Sequence, residues 1–325
     1  MIVTKTPFRI SFIGGGSDLR SYYKEEGFGA VISSSINKYM YVVVNQSFDS
    51  KIRMMYSKYE ICNSASEVEN PIAKFALSRL NISNGVDIAS LADIPKGTGL
   101  GSSSSYSVGL VNALSAFNGN KLATESIAQI ACEIEITDMA SPIGKQDQYC
   151  AAYGGLNYIQ FNADETVCVT PIILSENNLS ELNSRLLLFY TGIDREASSV
   201  LAHLQESMLR TSKRDMVKRL VDLTVILKQD LLSSNIDNIG ELMNEGWRIK
   251  RELARNISND LIDDAYQTAI SSGATGGKLL GAGNGGFLLV LAEKKHHKKI
   301  LENLWALRNV DIALSLNGTM VINHD

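Results

Sequence analysis

The stretch Pro95-Lys96-Gly97-Thr98-Gly99-Leu100-Gly101 runs straight into four serines, Ser102 to Ser105. Glycine tolerates positive φ and carries no Cβ, so such a loop can turn backbone N–H groups toward a ligand at close range. A helix start immediately behind it adds unpaired N–H donors and a partial positive charge. Together they predict a cradle for nucleotide phosphates made by Pro95, Gly97, Gly99, Leu100, Gly101, Ser102, Ser103 and Ser104. The serine hydroxyls can also bind phosphate oxygens or a magnesium ion. The plainer alternative is a serine N-cap behind a flexible loop.

Two familiar phosphate loops do not fit. No lysine follows Gly101, as the Walker pattern requires, and Ser102 stands where GxGxxG needs its third glycine. Residues 281–286, GAGNGG, match GxGxxG by letter, but the apolar run FLLVLA follows. A dinucleotide site needs a helix there, so the match is a decoy.

Four more side chains suit phosphoryl transfer. Arg9 lies on a predicted strand, TPFRISFI, where it can neutralise charge on a transferring phosphoryl group. Asp18 follows the turn Gly14-Gly15-Gly16 and can bind sugar hydroxyls with Gly15 and Gly16 alongside. Read structurally, the two are a surface cation and a turn aspartate. Asp147, in SPIGKQDQYCAAYGG, is expected in a loop between a helix and a strand. Glu135 precedes it near the end of the helix carrying ACEIEIT. One carboxylate to accept a hydroxyl proton and another to hold magnesium are what phosphoryl transfer to an alcohol requires. Glu133 competes for the metal, but residues two apart do not share a helix face, so one of the pair is a solvated charge.

PFRISFIGGGSD, PKGTGLGSSSSYS and GAGNGGF, in this order, resemble the three motifs of the GHMP kinase superfamily and span nearly the whole chain. The resemblance implies α+β architecture: a ribosomal-protein-like N-terminal domain and a ferredoxin-like C-terminal domain, with ATP and Mg2+ between them. It implies Asp147 as catalytic aspartate, Arg9 as the cation near the reacting hydroxyl, and Glu135 with Ser103 as magnesium ligands; Ser102 is the less favoured hydroxyl. The loop 281–286, with Gly283, would shape the substrate pocket. GGGSD, GKQDQYCAAYGG and YTGIDREAS are most similar to D-glycero-D-manno-heptose 7-phosphate kinases, which phosphorylate the anomeric hydroxyl in nucleotide-activated heptose biosynthesis. Lys58 and Arg195 are then the candidates for the sugar's own phosphate. A fucokinase-like or other sugar 1-kinase is the alternative. A catalytically inactive binding protein of the same fold is a further one, although candidates for the aspartate, the metal carboxylate and the serine run are all present.

The elements that must hold these residues follow from pattern. Strands are expected at 2–13, at KYMYVVVNQ and KIRMMYS, at VDIASLADIP, LNYIQFN and TVCVTPI, and at RLLLFYTG and FLLVLA. Helices are expected at 71–80, from the serine run to Phe117, at 123–137, and at 196–212, 215–233, 237–255, 260–271 and 294–306. The chain closes extended. Mixed elements without a βαβ rhythm give α+β, with a boundary in the polar stretch SENNLSELNS dividing 1–180 from 181–325.

The chain has 325 residues, 45% of them hydrophobic and 20% charged, with a net charge of −4. Two domains and a large core are expected, and no broad basic surface for nucleic acid. The four cysteines, the start of the chain and the lack of a long apolar run point to a cytoplasmic protein without disulfides or membrane spans. A homodimer is compatible with this reading. His203, His296, His297, Trp247 and Trp305 are expected to be surface or packing residues.

Overall fold

The protein is described here by a computed structural model covering residues 1–193, 206, 210–254 and 257–324. Strands and helices mix throughout, as α+β requires, around two sheets.

The first sheet has eight strands in the order β12-β1-β2-β5-β3-β4, with β6 on the other half of β2 and β7 beyond it. Its centre is β1 (Ile2–Ile13) against β2 (Phe28–Gln46); β3 is Ile52–Met55, β4 Tyr59–Cys62, β5 Val86–Ala92, β6 Leu156–Asn162 and β7 Val167–Pro171. Strand β2 is far longer than the KYMYVVVNQ segment that the apolar pattern marks. Its first half contains Ser33, Ser34 and Ser35, all fully buried. All three are satisfied by backbone carbonyls: Ser33 Oγ donates to Ile10 O (2.8 Å), Ser34 Oγ to Ser35 O (3.1 Å) and Ser35 Oγ to Ser315 O (2.6 Å). Buried hydroxyls with such partners can occupy a core strand at little cost.

The helices of this half are α1 (Arg20–Glu26), α2 (Pro71–Arg79), α3 (Ser102–Phe117), α4 (Thr124–Cys132) and α5 (Gln146–Tyr153); α3 and α5 pack directly on β1 and β2, while α2 and α4 pack on other helices. Asn70 caps α2 by accepting from Ala73 N (3.0 Å), with Pro71 in the first turn. The serine-led α3 is almost wholly buried, from Ser104 to Ser115 apart from Asn112. The polar stretch in which the domain boundary is expected is helical, α6 (Glu176–Arg185), with Ser175 Oγ accepting from Asn178 N.

The second sheet runs β11-β8-β10-β9, with β8 Leu186–Tyr190, β9 Ala274–Leu279, β10 Phe287–Ala292 and β11 Arg308–Asn309. Numbered along the chain this is the order 4-1-3-2, all antiparallel, which is the split βαβ plan of ferredoxin-like domains. Helices α8 (Ile239–Leu253), α9 (Asp260–Ser271) and α10 (Lys294–Asn303) accompany it, whereas α7 (Thr211–Leu232) packs on α8 and on β1 and β2 of the first sheet. Helix α8 lies almost in contact with β9: a Cβ on Gly276 would fall 1.8 Å from Gly240 O.

The chain then returns to the first sheet. Leu314 bridges to Ile36, Ser315 N donates to Ser35 O (2.9 Å), and β12 (Met320–His324) pairs antiparallel with β1.

Among the residues expected to pack, Trp247 is buried beside Tyr266, whereas Trp305 is 83% exposed and stands out from the surface. His297 Nε2 meets Ala292 O (3.0 Å) on a lysine-rich helix face, and His203 lies outside the described residues. All four cysteines are free. Among the described residues no helix is long and apolar enough to cross a membrane.

Candidate active site

Arg9 is 4% exposed on β1, and its backbone N–H donates to Leu100 O (3.1 Å), pinning the glycine loop to the first sheet. Its guanidinium forks: Nη1 donates to Gly99 O (2.6 Å), while Nε and Nη2 each reach one oxygen of Asp147 at 2.7 Å. A bidentate pair of this kind fixes both partners in one plane. Asp147 is not in a loop, as its polar surroundings suggested. It sits in the first turn of α5, where a carboxylate complements the helix dipole. Its side chain keeps 26% exposure, so the face turned from Arg9 stays open.

The loop ends in the left-handed region at Gly101 (φ 76°), which heads α3 with no side-chain cap. The helical ladder opens with Ser105 N donating to Gly101 O (2.9 Å), so the first N–H groups of the helix have no partner within it. Glu135 faces this start. Helix α4 passes into a π-helical turn, Glu133–Asp138, which buries Glu135 to 2% exposure. Ser103 Oγ donates to its Oε1 (2.5 Å) and Gln148 Nε2 to its Oε2 (2.7 Å). Burial pushes its pKa up, and so does the charge of Asp147, against the hydrogen bonds from Ser103, Gln148 and Ser104. Glu133 points the other way and pairs with Arg79 on the surface.

Asp18 closes the opposite side. Its Oδ1 accepts from Gly16 N (3.0 Å) and its Oδ2 from Gln146 N (3.3 Å). Burial raises its pKa and Asp147 adds to the effect. The tripeptide Gln146-Asp147-Gln148 therefore wires three carboxylates from one helix start: Asp18 by a backbone N–H, Asp147 directly and Glu135 through an amide. The two glutamines escaped the sequence reading, although their place beside Asp147 was a usable signal.

Two lysines were also missed. Lys250 on α8 is 7% exposed and donates to Gly281 O (2.8 Å). Lys278 on β9 is 4% exposed, and burial holds its pKa well below the usual lysine value, with Lys250 and Arg9 lowering it further. A lysine inside the small and apolar run TGGKLLGAG was a signal that it was buried.

The two glycine loops interlock. A Cβ on Gly99 would fall 2.5 Å from Leu280 O, and Phe287 N donates to Thr98 O (3.1 Å). Gly99 is thus demanded by the neighbouring loop as well as by any ligand. Gly283 packs on Ile257 and does not itself join the carboxylates. Pro95 is exposed and turns the loop, its carbonyl accepting from Thr98 Oγ1 (2.9 Å). Lys58 is not brought to the cluster; it pairs with Glu69 (3.1 Å) on an exposed turn. Arg195 lies outside the described residues.

The arrangement offers an anion cradle, a buried carboxylate with a hydroxyl beside it, and a carboxylate–guanidinium fork. Residues 67–155 match the family model described as GHMP kinases N terminal domain, and 227–307 match GHMP kinases C terminal. A D-glycero-alpha-D-manno-heptose 7-phosphate kinase of Campylobacter jejuni is 29% identical, the alignment covering 93% of each chain. A bifunctional fucokinase/GDP-fucose pyrophosphorylase of Arabidopsis thaliana is 29% identical over 91% of this chain but only 30% of its own length. The crystal structure of a D-glycero-D-manno-heptose 1-phosphate kinase from Bacteriodes thetaiotaomicron superposes with a TM-score of 0.83 over 100% of both chains at 22% identity. With both family models matched in order and the two-domain fold reproduced along its whole length, the chain belongs to the GHMP kinases.

Proposed function

We propose that this kinase transfers the γ-phosphoryl group of ATP to the anomeric hydroxyl of D-glycero-D-manno-heptose 7-phosphate. The observation that carries the reading is the meeting of the Asp147–Arg9 fork with the uncapped start of α3 beside the Ser103–Glu135 pair. The similarity to a heptose 7-phosphate kinase over 93% of both chains supports the acceptor.

In this reading the N–H groups at Gly101–Ser104 hold the ATP phosphates. Asp147 takes the proton of the acceptor hydroxyl as its oxygen bonds to the γ-phosphorus and ADP departs. Both Asp147 oxygens are engaged by Arg9, but a carboxylate has about four lone-pair sites, so capacity for the hydroxyl remains. Arg9 also sets a fixed positive charge near the equatorial oxygens. Asp18 aligns the sugar through its hydroxyls.

The donors also suit magnesium, which takes oxygen ligands and commonly only one or two carboxylates besides substrate phosphates. Glu135 and Ser103 supply one carboxylate and one hydroxyl. Among the described residues there is no cluster of three His, Cys, Asp or Glu side chains to form an all-protein cage. When bound, the ion would neutralise charge on the phosphates.

The test is ATP turnover against a panel: heptose 7-phosphate, heptose 1-phosphate, unphosphorylated heptose, fucose, galactose and mevalonate, with product analysis by phosphorus NMR. A 1,7-bisphosphate formed well ahead of any other product is the expected result. Equal turnover of an unphosphorylated sugar would promote the fucokinase-like reading, which the Arabidopsis relative favours by its equal identity. ATP binding without turnover of any sugar would promote the inactive binding protein.

A further inference from the structure

The lysine at position 278 has no counterpart in the chemistry above. It projects from the second sheet, is 4% exposed, and among the described residues no hydrogen bond or ion pair reaches its amino group. It lines a niche of about 10 Å³, room for one water-sized group, together with Gly14, Gly15, Gly246 and Lys250. Two amines facing one niche repel each other, and a buried ammonium without a partner is costly.

The carboxylates nearby are already committed. Asp147 is held by both arms of Arg9, and Asp18 by the N–H groups of Gly16 and Gln146. Of the other charged groups bearing on the amine, Lys250 on α8 and Arg9 on β1 are cations. The missing partner is therefore an anionic oxygen from a ligand. The niche is floored by the glycine turn that leads to Asp18, whereas residues 95–101 take no part in its wall. This places it on the acceptor side.

We propose that Lys278 is a specificity-determining contact that receives one phosphate oxygen of the phosphorylated acceptor in this niche, next to Lys250. The inference rests on the sugar-phosphate reading and deepens it by naming a residue that favours an acceptor already carrying phosphate. The anion turns a costly amine into a charge-assisted hydrogen bond, and the amine takes up a proton as the ligand arrives.

Calorimetry of the full chain with heptose 7-phosphate, without nucleotide, at pH 8 and in two buffers of different ionisation enthalpy tests this. The wild-type protein is expected to take up a fraction of a proton on binding. Lys278→Met should abolish the uptake and raise Kd about 10- to 100-fold, the size of one charged hydrogen bond. Lys278→Arg, permanently charged, should keep much of the affinity without the uptake. The same Kd and uptake in wild type and both variants would overturn the assignment. Proton uptake with a non-hydrolysable ATP analogue but not with the sugar phosphate would also overturn it, moving the contact to the γ-phosphoryl group. If the wild-type protein does not bind the sugar phosphate at all, the acceptor reading falls, and this assignment with it. If it binds while the lysine variants match it, only the lysine is excluded. Should the Met variant fail to fold, loss of uptake in the Arg variant decides the question.

Discussion

At the scale of single side chains, Asp147 and Glu135 have opposite surroundings and should fail in opposite ways. Asp147→Asn keeps the shape and part of the hydrogen bonding to Arg9 but cannot accept the proton. Turnover should fall roughly 10²–10⁴-fold while calorimetry shows ATP still bound. A variant keeping most of its kcat would remove Asp147 from that role. Glu135→Gln should raise the magnesium concentration needed for half-maximal activity and lower kcat, whereas Glu133→Gln, on the surface with Arg79, should change little. The same substitution should have a second effect in magnesium-free buffer. The folded-state pKa of Glu135 lies above its usual value, so across the window starting near 4.5 the folded protein holds more protons than the unfolded chain. Wild-type stability therefore falls as pH rises through that window. Gln is uncharged and removes this loss, and the buried, unpartnered Gln148 Oε1 can turn to receive its amide. The variant should melt at higher temperature than wild type at pH 7 and show a flatter slope above pH 5 by thermal scan.

Among elements, the contact between the two glycine loops sets the clearest expectation. A Cβ at Gly99 meets the carbonyl of Leu280, and one at Gly281 meets Gly99 Cα at 2.6 Å. Gly99→Ala and Gly281→Ala should thus both destabilise the protein, each by more than about 1 kcal/mol since both positions also have positive φ. Both should weaken ATP binding in parallel, although residue 281 lies in the other loop. ATP affinity lost at Gly99 alone would mean that the loops act separately.

The start of α3 was legible because glycine-to-serine punctuation is a local signal. The same holds for the β9–β10 loop, where a strand after GAGNGG argued against a dinucleotide site. Helix α5 was not legible: QDQYCAAY has no one-sided apolar stripe, since nearly every side chain in it is buried. The first half of β2 was hidden by its serines, of which Ser33 and Ser35 find their partners at Ile10 and at the far end of the chain. Lys250 reads as an ordinary helix-surface cation in RIKREL, and only the close approach of α8 to β9 buries it. What the sequence withheld was pairing between distant segments.

Taken whole, the molecule is laced by its last described stretch. Residues 313–319 cross the first sheet, Thr319 Oγ1 meets Thr6 Oγ1 (2.8 Å), and β12 covers the outer edge of β1. A two-domain division at 180 is therefore not expected to give two independent folding units. Calorimetric melting of the full chain should show one cooperative transition. A fragment of residues 1–180 should elute as aggregates on gel filtration and melt without a sharp transition; a monomeric, cooperatively melting fragment would refute this. The crossing also imposes a timetable on biosynthesis. The outer-edge partner of the first strand, β12, emerges only after more than 300 further residues, which at about 5–20 residues per second takes roughly 15 to 60 s on the ribosome. Throughout that interval the outer edge of β1 is an open template for other strands. A nascent chain held that long should be shielded by ribosome-associated chaperones, and slowing translation should lower its soluble yield instead of raising it.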